Sequence, residues 1–206
     1  MAIIEYREEL KRKLIHLSSL WMCAAVLLLP GRYTAAGLFL LLGAVTVLIE
    51  RAFVIGIPVI TPLYRRLFGA MLRKDPRPDD WLVSGGAPVF FAGAVVALCF
   101  SPRVAAAALA ILLTADAAAA LIGRRFGRHR INGKSWEGTI AFFMTALIVA
   151  WGVFIITGAT VDMFPRIPVA ALAAALAELY QKQLKMDDNF LIPLVSGFVL
   201  EYLQLF

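Results

Sequence analysis

The stretch ADAAAALIGRRFGRHRINGKSWEGT, residues 115–139, sets one acid, Asp116, in a run of alanines. Arg124, Arg125 and Arg128 follow, then Gly133, Lys134, Ser135 and Glu137. A charge at the centre of an apolar helix costs about 2.5–3.5 kcal/mol on insertion scales, so an acid in such a place is a functional candidate by default. Asp116 has Ala119 and Ala120 at i+3 and i+4, so it finds no cation on its own helix. It needs a partner from another helix, a proton or a metal ion. Mg²⁺ suits such a carboxylate, because it is commonly bound by one or two acids plus substrate phosphates.

The basic residues downstream suit phosphate, but each has a plainer reading. Gly133-Lys134-Ser135 matches the end of a P-loop, yet the first glycine and the strand context are missing, so the match fails. A helix start still attracts anions, Lys134 adds a point charge, and Ser135 can cap the helix. The same loop also reads as topogenic charge with a cap. Ala119, Gly123 and Gly127 are spaced by four, which lets helix backbones approach closely. Glu137 is read either as a favourable first-turn acid, a local partner of Lys134, or a second metal-linked carboxylate beside Asp116.

Other polar residues stand out against the apolar background. His16 follows Lys11–Lys13, and Glu50 adjoins Arg51 as a self-neutralising couple. Glu178 and Lys182 have the favourable i,i+4 order for a helix pair. Asp187-Asp188-Asn189 reads as a cap or as cavity lining. The segment RKDPRPDDW, residues 73–81, carries prolines that forbid one continuous helix, and residues 64–72 read as a short interfacial helix. Cys23 and Cys99 lie in apolar runs without metal-ligand spacing.

The elements that must position these residues are set by composition. The chain has 206 residues, 61% hydrophobic and only 17% charged, with mean hydropathy +0.82. So short a chain cannot bury that much apolar sequence away from water, and the solvent for most of it is lipid. A helix crosses a bilayer core with roughly 20 residues. The expected fold is therefore all-α, a polytopic transmembrane helical bundle forming one domain, residues 1–206. Seven spans are expected at 14–29, 34–55, 86–100, 103–122, 138–158, 168–181 and 190–206. The first is read as retained, since no small-x-small cleavage site follows it.

Lys and Arg gather in cytoplasmic loops. Counted from the head through the six loops, they run 4, 1, 6, 1, 5, 1, 2, the full set of 20. The alternation puts the N-terminus in the cytoplasm and the C-terminus outside, with cytoplasmic loops at 56–85, 123–137 and 182–189. It also accounts for the basic pI of about 9.6 without a nucleic-acid partner. In this arrangement His16, Glu50, Asp116, Glu137, Glu178 and Asp188 come from six segments to one membrane face. Glu201 alone falls toward the other.

Together, RKLIH at 12–16, Glu50-Arg51, Leu72-Arg73 before SGGAPVFF, the central stretch, Glu178 and DDNFLIPL from Asp187 resemble the CTP-dependent lipid-alcohol kinases. That family includes dolichol, phytol and farnesol kinases and the yeast-type diacylglycerol kinase. One departure is Ala115, where the family usually has glycine. The resemblance implies a multi-pass membrane enzyme, in a prokaryote at the inner (plasma) membrane, with its site facing the cytoplasm. It implies transfer of the γ-phosphoryl of CTP to a lipid hydroxyl, aided by Mg²⁺ or another divalent cation. Catalytic roles fall to Asp116, Glu137 and Asp188, with Asp116 and Glu137 on the metal. Nucleotide contacts fall to Lys134, Arg124, Arg125, Arg128, Gly123, Gly127, Gly133, Ser135 and Asn189. Lys13, His16, Glu50, Arg73 and Glu178 line the same cavity. Partners are CTP, the lipid alcohol and membrane lipids; oligomeric state is left open. The alternatives are a cytidylyltransferase making a CDP-lipid and, more distantly, a small ion-coupled transporter. The transporter would need polar groups along a whole path across the membrane.

Overall fold

A computed structural model describes residues 6–69, 72, 77, 79, 81, 84–158 and 160–203. In chain order its elements are α1 (Tyr6–Ser18), α2 (Trp21–Leu28), α3 (Arg32–Val54), α4 (Ile60–Phe68), α5 (Gly86–Cys99) and α6 (Pro102–Phe126). A two-residue hairpin, β1 (Arg130–Ile131) and β2 (Lys134–Ser135), leads into α7 (Trp136–Ile156), α8 (Arg166–Leu184) and α9 (Asp188–Tyr202). Four helical stretches are long and apolar enough to cross a membrane: Arg32–Val54, Pro102–Phe126, Trp136–Ile156 and Val161–Leu184. The all-α expectation holds apart from the hairpin, the one sheet among the described residues.

Helix α6 is the axis of the bundle, with α7, α9, α2, α1 and α5 packed around it. Every residue from Val104 to Leu113 is buried. A helix apolar on all sides is a core helix, and its alanines let neighbours come close on every face. By contrast α3 turns Leu40, Leu41 and Leu48 outward, and α7 turns out Ile140, Met144, Ile148 and Ile155. Those faces suit a lipid solvent. At the far end of α6 from Asp116, Ser101 donates through its backbone N–H and its hydroxyl to Glu201 of α9. That bond explains the acid that stood apart from the others: it caps the start of the core helix.

Several boundaries differ from expectation for identifiable reasons. The first expected span is two helices joined at Ser19-Leu20, where i→i+3 bonds such as Ser19 N–H to His16 C=O tighten the turn. α6 continues to Phe126, one turn beyond the expected 122, so Asp116 lies deeper from that end. The loop expected at 123–137 contains the hairpin, whose Asn132 (φ 52°) and Gly133 (φ 81°) are both left-handed. Asn-Gly with two positive φ values is the preferred two-residue hairpin turn. The short helix expected from residue 64 begins earlier, at Ile60, and runs to Phe68, with Pro62 in its first turn, where proline is tolerated.

The close crossing of α6 and α7 depends on small residues. A Cβ on Gly138 would stand 2.8 Å from the Ala119 carbonyl oxygen and 3.3 Å from Gly123 Cα. Gly138→Ala should therefore push the two helices apart and destabilise the protein by about 1–3 kcal/mol, the usual overpacking range. Unfolding of the purified protein in mixed micelles measures this, and an unchanged stability would show that the crossing tolerates a methyl.

Candidate functional site

The face of α1 formed by Glu9, Arg12, Lys13 and His16 follows the helical i, i+3, i+4, i+7 spacing and lies on α6. Lys13 Nζ donates to Asp116 Oδ2. His16 Nε2 stands 3.6 Å from the same oxygen, too far for a hydrogen bond. Asp116 thus takes its partners from another helix, the first of the three solutions open to it. A second rung lies one step along: Glu9 contacts Arg12 on its own helix and Arg124 of α6 at 3.1 Å. The order 13 with 116 and 9 with 124 shows that α1 runs antiparallel to α6.

The hairpin, α8 and α9 complete the cluster. The left-handed Asn132-Gly133 turn reverses the chain and aims Lys134 at Glu178 of α8, to whose Oε1 it donates. With its amide oriented to satisfy both neighbours, Gln181 donates to Asp188 Oδ2 at 3.1 Å and accepts from Lys134 Nζ at 3.2 Å. Lys185, left-handed at φ 53°, ends α8, and Asp187 then caps α9 by accepting from Asn189 N–H at 2.9 Å. Asp188 is thereby set at the first residue of α9. Asp116, Glu178 and Asp188 lie within electrostatic reach of one another, with Lys13 and Lys134 among them.

The structure brings together Lys13, His16, Asp116, Lys134, Glu178 and Asp188. Glu137 has different partners: His129 Nδ1 at 2.9 Å and the His129 backbone N–H at 3.3 Å. It lines an open cleft of about 470 Å³ with Arg125, Phe126, Gly127, Arg128 and His129. Ser135 caps α7 by accepting from Gly138 N–H. Gly123 and Gly127 present their Cβ positions to the Ser135 side chain, so both serve packing between α6 and the hairpin. Glu178 pairs with Lys134 rather than with Lys182, the partner its spacing suggested. Arg73 lies outside the described residues.

Glu50 forms a separate polar centre. It is fully buried and accepts from the Ser84 hydroxyl and from Tyr64 OH at 3.4 Å. Tyr64 stacks on Phe53, and Arg51 lies over the Trp81 ring. This centre ties α4 and the start of α5 to α3. Glu9, Gln181 and His129 were not singled out from the sequence. The α1 face was readable as helical spacing, while Gln181 and His129 needed the tertiary fold.

Among the described residues, no group of three or more His, Cys, Asp or Glu side chains is arranged to hold a metal ion. Carboxylate oxygens are nevertheless the donor type that a hard cation takes. Lys13 and Lys134 each occupy one oxygen of Asp116 and Glu178, while the buried Glu178 Oε2 has no hydrogen-bond partner. Mg²⁺ needs only one or two protein carboxylates beside phosphate and water.

Comparison with known proteins gives distant relatives. An uncharacterised protein of Rickettsia prowazekii is 27% identical over 186 residues, 90% of each chain. The CTP-dependent diacylglycerol kinase 1 of Schizosaccharomyces pombe is 26% identical over 156 residues, 69% of each chain. The phytol kinase of Synechocystis is 32% identical over 103 residues, 48% of this chain and 43% of that one. No family model matches the chain. No solved structure matches it either.

Burial, and next the charge of Glu50, push the Tyr64 phenol up from 10 to about 12. The unfolded chain therefore ionises first. The stability that the neutral phenol contributes is complete below pH 10 and is lost as pH rises toward 12. In an ultraviolet titration, the difference between the wild-type protein and Tyr64→Phe should appear near pH 12. A difference centred at the ordinary value would place Tyr64 in water.

Proposed function

We propose that this protein is a membrane kinase that transfers the γ-phosphoryl group of CTP to the hydroxyl of a lipid alcohol at the cytoplasmic face. The observation that carries the reading is the cluster itself: Lys13, Asp116, Lys134, Glu178 and Asp188, from four helices and a hairpin, gathered at one end of an apolar bundle. Phosphoryl transfer is mostly positioning and charge neutralisation, so cations for phosphate beside acids for a metal and a proton are the required kit. Two distant relatives bear the names CTP-dependent diacylglycerol kinase 1 and phytol kinase, which favours a nucleotide donor and a lipid acceptor.

In this reading seven segments cross the bilayer with the N-terminus in the cytoplasm. The alternating count of basic residues supports that topology, since every cluster residue then falls at a cytoplasmic end. Lys134, Arg124, Arg125 and Arg128 take the triphosphate, and Glu137 with His129 lines the cleft that holds Arg125 and Arg128. Asp116 and Glu178 would hold Mg²⁺, which when bound neutralises phosphate oxygens. Asp188 takes the hydroxyl proton as the lipid oxygen bonds to the γ-phosphorus and the bond to the β-bridging oxygen breaks. The products are a lipid monophosphate and CDP.

Purified protein given γ-labelled CTP, Mg²⁺ and a panel of polyprenol, phytol-like alcohol and diacylglycerol should carry label into the lipid phase. Asp116→Asn should abolish that transfer even in the fraction that inserts and purifies folded. Formation of a CDP-lipid with label released as pyrophosphate would instead make the chain a cytidylyltransferase. Near-normal turnover by Asp116→Asn would remove that carboxylate from the chemistry.

A further inference from the structure

Two residues of the cleft between the end of α6 and the start of α7 do not suit phosphate. Phe126, 58% exposed, adds an aromatic ring to its lining. A phosphate gains nothing from a phenyl face, whereas a nucleobase stacks on one. Glu137 lines the same cleft. An exposed carboxylate is ionised at neutral pH, and beside Arg125 and Arg128 it opposes an anionic ligand. His129 fixes its direction: Nδ1–H donates to Oε1 at 2.9 Å, and the backbone N–H donates to the same oxygen at 3.3 Å. That N–H reaches Oε2 only at 3.5 Å. An ionised carboxylate has about four acceptor sites, so it keeps capacity for a donor that enters the cleft.

We propose that Glu137 selects the nucleobase: the pyrimidine stacks on Phe126, and its exocyclic amino group donates to the Glu137 carboxylate. The inference rests on the reading of the chain as a CTP-using enzyme and adds the residue that would choose the base. Cytosine presents an amino donor where a uracil-type base presents a carbonyl acceptor. A carboxylate accepts from the first and repels the second. Adenine also carries an amino group, so UTP is the competitor that reports on Glu137. A plain clasp between Glu137 and His129 would fasten the loop after α6 to α7 just as well, but it would leave base preference untouched.

Titration calorimetry of CTP and UTP into the purified full chain in detergent with Mg²⁺ separates the two explanations. The wild-type protein should bind CTP about tenfold or more tightly than UTP, the size of one hydrogen bond to a charged group. Glu137→Gln offers an amide that accepts from one base and donates to the other, so it should bring the two affinities within about threefold. Phe126→Ala should weaken both nucleotides alike, about tenfold for one lost stacking contact, and keep the preference. Absence of CTP binding, equal wild-type affinities, or a preference retained by Glu137→Gln would overturn the proposal. Should Glu137→Gln fail to fold, His129→Ala replaces it, at a side chain 76% exposed. That change releases the carboxylate and should narrow the preference, and an unchanged preference would overturn the proposal equally. A CTP preference that follows this pattern without phosphoryl transfer to any lipid would uphold the base site and remove the kinase reading alone. Lipid phosphorylation that uses CTP and UTP equally would do the reverse.

Discussion

The carboxylate of Asp116 is the constraint on which the rest of the bundle depends. It sits on the core helix, among alanines that offer it nothing. A charge there is tolerable only when paired and hydrogen-bonded. Lys13 supplies the pair, and that contact fixes α1 antiparallel along α6. Once α1 lies there, the same face brings Glu9 to Arg124 and His16 beside Asp116. A buried ion pair of this kind is weak evidence of stability, because desolvation offsets most of the attraction. Its retention in an apolar bundle therefore points to a role beyond holding helices together.

The same economy governs the other side of the site. Gly123, Gly127 and Gly138 let α6, α7 and the hairpin meet without side chains between them. That closeness places the Asn132-Gly133 turn where Lys134 reaches α8 rather than solvent. The Asp187 cap then sets Asp188 at the start of α9. Packing residues and charged residues are interleaved in this stretch for one reason. Small residues bring the backbones together, and the close backbones let the polar side chains converge.

Much of this was legible in the sequence. The apolar segments and their order follow from composition and period, and the alternating Lys and Arg count puts Asp116, Glu178 and Asp188 toward one end, while Glu50 and Glu137 take partners of their own. Asp116 was conspicuous because nothing on its own helix answers it. Partner choice was not legible. Glu178 had a suitable cation four residues away in Lys182, yet it takes Lys134 from 44 residues distant. The Asn-Gly dipeptide is a hairpin signal, but it lies beside Lys134 and Ser135, whose phosphate-like pattern competes for attention. Glu9 reads as an ordinary first-turn acid until α6 is laid against it. Local spacing reports which residues share a face. It does not report which face of another helix will meet them.

The account stands on the meeting of Lys13 and Asp116 inside the bundle. Unfolding free energies in mixed micelles, measured for the wild-type protein, Lys13→Met, Asp116→Asn and the double variant, test it most directly. Each single change should cost about 3–5 kcal/mol by stranding a buried partner, and the double variant should recover most of that loss. Losses that simply add would mean that the two side chains do not meet, and the site built around them would fall.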